Sequence, residues 1–170
     1  TGFLCPISED KFGGMILAPL AEAGVKVLLK KRVKEPTTLA VVSDDGTSIS
    51  WTLSYADLEA AIQQAHIHFG QKAVNGGITV FLCTNLGNGP AGIQACPPSP
   101  ATISGTITAA DVSPNIPATQ AARNQGLGTG EFAELLRAIR SGNTYANVHS
   151  VKFPGGEARG QIRTVDENDD

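Results

Sequence analysis

The chain has 170 residues, of which 41% are hydrophobic and 17% charged, as expected for one folded domain with an apolar core. Thirteen Lys+Arg against sixteen Asp+Glu give a net charge of -3, which argues against a nucleic-acid-coating protein. The longest apolar stretches are interrupted by charged residues and are shorter than the about 20 residues of a membrane helix, so no transmembrane segment is predicted.

The first part of the chain, residues 1–35, shows no clean periodicity and predicts an irregular N-terminal arm or edge strand. Residues 25–34 mix β-branched residues with five positive charges. These charges can grip a polyanion, but protection of a sheet edge against association is the favoured interpretation. An exposed apolar strand without a partner in its own domain tends to complete a neighbour's sheet, so we expect self-association through this arm.

Alternating apolar and polar residues predict strands through most of the remaining chain. The predicted strands cover residues 39–43, 48–55, 65–70, 78–83, 101–108, 145–151 and 157–163. An Asp-Gly turn at residues 44–47 joins the first two. A short helical turn is expected over residues 55–64, and the Pro, Asn, Gln and Gly of residues 113–128 predict a loop.

One amphipathic helix is predicted at about 129–141. Thr129 is the expected N-cap, apolar residues follow at helical spacing, and Gly142 lies beyond the end. Many short strands with one helix indicate an all-β domain, a Greek-key-like β-sandwich or barrel with the helix as a lid. The predicted organisation is an arm (1–35), a β domain (36–165) and an acidic tail (166–170).

Three cysteines set the expectation for the redox environment. Cys83 and Cys96 flank a loop rich in Gly, Asn and Pro, where a disulfide would stabilise the fold by about 3 kcal/mol. The alternative is two buried free thiols. Cys5 is then left over, either free or available for an intermolecular bond. Because disulfides persist in oxidising compartments, the favoured location is extracellular or at the cell surface.

Strand periodicity places every histidine of the chain on polar strand faces, opposite apolar faces. His66 and His68, at i and i+2, can converge on one ion, with His149 as a third ligand, and three imidazoles suit copper or zinc. The alternative is a hydrogen-bonded polar cluster without an ion. Five more polar residues share these faces: Tyr145, Asn147, Glu157, Arg159 and Gln161. For Glu157 and Arg159, an ion pair between adjacent strands is favoured over anion binding.

Three blocks of the sequence together resemble the CHRD domain, a family named after chordin that also occurs alone in extracellular microbial proteins. The blocks are Ala65-His66-Ile67-His68-Phe69-Gly70 with Gly76-Gly77-Ile78-Thr79-Val80, Ile103 to Val112, and Leu135-Leu136 through Gly142 to Ser150 with Pro154-Gly155-Gly156-Glu157-Ala158-Arg159-Gly160-Gln161-Ile162. The resemblance runs from about Asp44 to Arg163 and implies a β-sandwich-like extracellular domain.

The function expected from these observations is a secreted or surface-exposed, non-enzymatic binding or structural module. Its partners would be further copies of the chain or another extracellular protein. No catalytic residues are predicted, because no Gly-x-Ser-x-Gly elbow and no Cys-His signature accompany the histidines. The alternative function is a copper- or zinc-binding metalloprotein that uses His66, His68 and His149, with a redox role.

Overall fold

A computed structural model of the chain describes residues 38–44 and 46–162. The predicted arm (1–35) with Cys5 and the predicted acidic tail (166–170) lie outside the described residues. Within these residues, no helix is both long enough and apolar enough to cross a membrane.

The described chain forms two antiparallel sheets, which confirms the predicted all-β sandwich. The strands are β1 (Thr38–Asp44), β2 (Ile49–Tyr55), β3 (Ile62–Phe69), β4 (Gly77–Thr84), β5 (Ala101–Ile107), β6 (Thr144–Ser150) and β7 (Ala158–Gln161). One sheet has the order β1-β2-β5 and the other β4-β3-β6-β7. The chain therefore crosses between the sheets after β2, after β4 and again after β5.

The core lies between the two sheets and follows from strand alternation. In β2, Ile49, Trp51 and Leu53 are buried, whereas Ser50 is exposed. The facing sheet contributes alternate apolar residues of β3, β4, β6 and β7 to the same cluster. The inward residues of this sheet include Ala65, Ile67, Val80, Leu82, Ala146, Val148 and Ala158.

Helices appear in the connection between β5 and β6. The helix α1 (Gln120–Asn124) and a short 3-10 helix, Pro117–Thr119, lie where the sequence predicted a loop. Pro117 starts the 3-10 segment because a proline fits the first turn of a helix, where an N–H has no partner. The prediction of an irregular connection was therefore wrong at this point.

The predicted amphipathic helix is present as α2 (Phe132–Arg140), shorter at its start than the predicted 129–141. Leu135, Leu136 and Ile139 are buried in the core cluster, as the periodicity indicated. The N-cap is Glu131 rather than Thr129. The Thr129 hydroxyl instead donates to the Ser113 carbonyl at 2.7 Å. The side chain that was predicted to cap the helix therefore makes a tertiary contact.

The hairpin from β1 to β2 is confirmed, with Gly46 at φ +86° in the turn. The helical turn expected over residues 55–64 is wrong, because β3 begins at Ile62 and residues 56–61 form no helix. Cys83 and Cys96 form a disulfide with their Cα atoms 5.1 Å apart. Both cysteines are buried, at 0% and 4% exposure, so the bond staples β4 to the connection that follows it.

Candidate metal centre

The three histidines lie on the face of the β4-β3-β6-β7 sheet that points away from the other sheet. β3 supplies His66 and His68, and the antiparallel neighbour β6 supplies His149. His66 pairs with Asn147, so His149, two residues further along β6, lies diagonally across from His66 on the same face. Diagonal neighbours on one face remain within reach of long side chains, which brings residues 83 positions apart in sequence into one cluster.

The imidazole rings form a compact triangle. Their centroids are 5.6 Å apart for His66 and His68, 5.1 Å for His66 and His149, and 5.8 Å for His68 and His149. One ligand atom from each ring lies within 4.8 Å of the others. His66 Nδ1 and His149 Nε2 are 3.3 Å apart. Two nitrogens bound to one tetrahedral ion at about 2.0–2.1 Å are about 3.3–3.4 Å from each other, so His66 Nδ1 and His149 Nε2 have the separation of two ligands once the His66 proton moves from Nδ1 to Nε2.

Backbone carbonyls fix the tautomers of two rings. His68 Nδ1–H donates to the Gly76 carbonyl at 2.9 Å, and His149 Nδ1–H donates to the Pro154 carbonyl at 2.9 Å. A carbonyl only accepts, so each neutral ring carries its proton on Nδ1 and its lone pair on Nε2. Metal-ligating histidines have the same arrangement, with the second nitrogen bonded to a carbonyl or carboxylate.

The tautomers leave buried lone pairs without donors. His149 Nε2 has no proton, so His66 Nδ1–H donates to it and His66 Nε2 carries a lone pair. Among the described residues, His66 Nε2 and His68 Nε2 have no hydrogen-bond partner. Leaving a buried polar atom unpaired costs about 1–3 kcal/mol. A cation held by His66 Nδ1, His68 Nε2 and His149 Nε2 would satisfy the open His68 acceptor and would move the His66 proton to Nε2.

Burial keeps the rings neutral. The exposed fractions of His66, His68 and His149 are 0%, 7% and 5%. Desolvation, together with the neighbouring rings of His149 and His68, lowers the pKa of His66 to about 2. Desolvation likewise lowers the pKa of His68 to about 4, against the opposing effect of the Gly76 carbonyl. The pKa of His149 is lowered by burial as well. Neutral imidazole is the form that binds metal ions.

Two aromatic rings pack against the histidine cluster. The Phe81 ring meets His66 edge to face at 4.4 Å, and the Tyr145 ring stacks on His68 at 4.8 Å with 9° between the planes. Phe81 reaches this face because the pairing of β4 with β3 shifts register twice, on either side of His66 and Ile67. Such bulges re-aim side chains and are common beside functional sites.

Loops from opposite ends of the sheet close over the histidine face. The β3–β4 loop supplies the Gly76 carbonyl, and a side chain at Gly76 would collide with the Phe69 carbonyl. The β6–β7 loop supplies the Pro154 carbonyl, and Gly156, at φ +120°, lies against the Asn147 amide where a Cβ would collide. Glycine is therefore required at both positions because the loop backbone approaches the site closely.

The five predicted polar residues take different places. Tyr145 stacks on His68, and its hydroxyl accepts the Gly76 N–H at 3.0 Å. Asn147 lies beside His66 in the pairing of β3 with β6, and its Nδ2 donates to the Gly155 carbonyl. Gln161 Nε2 donates to the carbonyls of residues 70 and 142, so it braces the start of the β3–β4 loop.

Glu157 and Arg159 do not form the predicted ion pair. The Glu157 carboxylate accepts the Glu59 N–H. The Arg159 guanidinium lies 3.4 Å from the centre of the Tyr145 ring and donates to the Val74 carbonyl at 2.7 Å. The strand register explains why the ion pair does not form, because the residue opposite Arg159 on β6 is Asn147 and not a carboxylate. Arg159 thereby ties the β3–β4 loop to the stack on His68.

Sequence reasoning missed three contributors to the site. Phe81 lies in an apolar run, so the sequence predicts a core residue. The register shifts that turn Phe81 toward His66 have no signal in the sequence. The carbonyls of Gly76 and Pro154 belong to segments recognised only as turns. Glycine pairs at both loops are the one signal that indicates close backbone approach at these positions.

The family comparison covers most of the chain. The profile of the CHRD domain matches residues 30–162. No curated protein and no solved structure matches the chain significantly. The matched region contains all seven described strands and the three histidines, together with both loops that cover them. The chain belongs to the CHRD domain family.

Proposed function

We propose that this CHRD domain is an extracellular module that binds one transition-metal ion, copper or zinc, through His66, His68 and His149. The observation that carries the proposal is the convergence of three buried, neutral imidazoles whose ligand atoms lie within 4.8 Å of one another. The buried His68 Nε2, which has no hydrogen-bond partner, favours an ion over a purely hydrogen-bonded cluster.

Metal titration of the purified, metal-depleted protein tests the proposal. Isothermal titration with Zn(II) is expected to show one ion per chain. His68→Ala and His149→Ala are expected to weaken binding by more than about 100-fold, because loss of an outer partner alone costs about 10–100-fold. Gln64→Ala is the matched control, since Gln64 lies on the same strand and bonds to Asn88 rather than to the cluster.

Circular dichroism of each variant separates loss of binding from loss of the fold. If an alanine variant unfolds, the corresponding His→Gln variant is titrated instead, because it keeps a polar side chain of similar size. Stoichiometric binding that survives in folded variants of two different histidines contradicts the proposed site. Absence of binding by the unsubstituted protein, for both zinc and copper, contradicts it as well.

The extracellular assignment is supported by the Cys83–Cys96 disulfide, since such bonds persist in oxidising compartments. The bond closes a loop with a sequence separation of 13 residues, and its reduction is expected to lower the free energy of unfolding by about 3 kcal/mol. Urea unfolding with and without reductant measures this change. A protein isolated from its native source with both thiols free would contradict the assignment.

Self-association through residues 1–35, with Cys5 as the linking thiol, stays a prediction, because these residues lie outside the described ranges. Size-exclusion chromatography of the full chain and of a chain that begins at residue 36 tests it. An unchanged oligomeric state after removal of the arm contradicts the prediction. Mass analysis under non-reducing conditions tests Cys5 separately.

A further inference from the structure

We propose that the three-histidine site selects cuprous copper, Cu(I), over the divalent ions Zn(II) and Cu(II). This inference rests on the proposed metal-binding function and names the ion that the site prefers. Three features of the site favour Cu(I): the charge of the donors, their number, and the surroundings that exclude water.

The donor set carries no negative charge. Within the described residues, no Asp, Glu or Cys side chain joins the three imidazoles in the 4.8 Å group. Glu157 accepts the Glu59 N–H with one carboxylate oxygen, its other oxygen is buried without a hydrogen-bond partner, and neither oxygen belongs to the 4.8 Å group. A divalent ion would therefore keep its full double charge among neutral ligands, whereas Cu(I) brings a single charge.

Burial magnifies this difference between the ions. The cost of transferring an ion from water to a low-dielectric interior rises with the square of its charge, so it is about four times larger for a dication than for a monocation of equal size. His66 is 0% exposed, and the rings of Phe81 and Tyr145 flank the cluster with apolar surface. The site thus provides little solvent to offset a second charge.

The positive charge of Arg159 adds to the cost of binding a divalent ion. The Arg159 guanidinium lies over the Tyr145 ring, and the same ring stacks on His68. The guanidinium charge disfavours a dication twice as strongly as a monocation at the same position, because the Coulomb energy is proportional to the ion's charge.

The number of donors points in the same direction. Zinc takes four ligands, either four from the protein or three and a water, whereas the described residues here supply three imidazoles that are at most 7% exposed. Cu(I) has a filled d shell and accepts three nitrogen donors in a trigonal arrangement.

Competition titrations of the full chain test the selectivity. Cu(I), kept reduced with ascorbate under nitrogen, is titrated against the chromophoric chelator bicinchoninate, and Zn(II) against a zinc-binding dye. Cu(I) is expected to bind at least about 1,000-fold more tightly than Zn(II), a ratio that corresponds to about 4 kcal/mol. Equal or tighter binding of Zn(II) overturns the inference but leaves the proposed metal site intact, and absence of any binding overturns both.

A charge-changing variant sharpens the test. Asn147→Asp places a carboxylate of nearly the same shape beside His66 and is expected to narrow the ratio between Cu(I) and Zn(II) by at least about 10-fold. Asn124→Asp makes the same change on an exposed residue of α1 and is expected to leave the ratio unchanged. Equal ratios in both variants contradict the electrostatic explanation.

A measurement without substitutions guards against a variant that fails to fold. The midpoint potential of the bound Cu(II)/Cu(I) couple is compared with that of copper in concentrated imidazole at the same pH. Each tenfold preference for Cu(I) over Cu(II) raises the midpoint by about 59 mV, so we expect a rise of at least about 120 mV. A potential at or below that of the imidazole reference contradicts the selection of Cu(I).

Discussion

The two faces of the β4-β3-β6-β7 sheet are both buried, but they are buried by different means. On the inner face, Ala65, Ile67 and Val148 pack against the β1-β2-β5 sheet in the hydrophobic core. On the outer face, His68 and His149 donate to backbone carbonyls of the covering loops, and the Phe81 ring packs against His66. In β6 this leaves all seven residues buried.

The inner face contributes to stability and the outer face to binding. The inner face stabilises the fold through apolar area removed from water, at about 25 cal/mol per Å². The outer face buries imidazoles whose lone pairs have no donors, which costs stability in the metal-free protein. Buried groups that oppose stability are typical of functional sites, and the difference between the faces suggests four tests.

The largest effect is expected from truncation on the inner face. Ile67→Ala is expected to lower the free energy of unfolding by about 2–5 kcal/mol, because it leaves a cavity at a residue that is 1% exposed. Urea unfolding measures the change, and metal affinity of the folded variant is expected to stay within a few-fold. Val74→Ala, at a side chain that is 48% exposed, is the control and should change stability by less than about 0.5 kcal/mol.

The pH dependence of stability probes the outer face. Since the pKa of His66 falls from 6.5 to about 2 and that of His68 to about 4 on folding, the unfolded chain binds more protons below pH 6.5. The free energy of unfolding is therefore highest above pH 6.5, where the histidines are neutral in both states, and it decreases progressively as the pH falls toward 4. We expect a loss on the order of a few kcal/mol at pH 4.5 in metal-free protein.

Unfolding midpoints at pH 7.5, 6.0 and 4.5 measure this loss. Substitution of all three histidines by Gln is the control for carboxylates that also titrate in acid, and it should flatten the profile between pH 6.5 and 4.5. A variant with a profile as steep as that of the unsubstituted protein would show that the histidines do not cause the loss.

A smaller effect is expected at the ring that stacks on His68. Tyr145→Phe keeps the stack but removes the hydroxyl that accepts the Gly76 N–H, so the loop that orients His68 loses an anchor. We expect about 1 kcal/mol less stability and about a 10-fold or smaller loss of metal affinity. Metal titration and urea unfolding of the same preparation measure both quantities. Unchanged values for both would mean that the hydroxyl does not hold the loop.

The smallest effect is expected at the exposed end of the stack. Arg159→Gln removes a guanidinium that lies over Tyr145 and donates to the Val74 carbonyl, so the β3–β4 loop opens more readily. An exposed cation–π contact of about 0.5–1 kcal/mol corresponds to about a 2–5-fold faster opening of this loop, which hydrogen exchange of the Gly76 N–H measures in the metal-free protein. Lys152→Gln, in the other covering loop, is the control and should leave that exchange unchanged.

Particular residues show how far sequence reasoning reaches. The alternation of Ala65, His66, Ile67 and His68 assigns each side chain to a face, and the structure agrees with that assignment. The Asp-Gly hairpin was predicted for the same local reason, since its turn chemistry lies within four residues. The N-cap of α2 was wrong, because the Thr129 hydroxyl has a distant acceptor in the Ser113 carbonyl.

The sequence by itself determined the strands, the faces of the histidines and the candidacy of the Cys83–Cys96 pair, because these depend on periodicity and on short separations along the chain. Only the tertiary structure decided that the polar face is buried, that β3 and β6 are neighbours, and that the carbonyls of Gly76 and Pro154 fix two tautomers. The physical reason is that strand pairing and loop closure depend on contacts between distant residues, whose register no local pattern specifies.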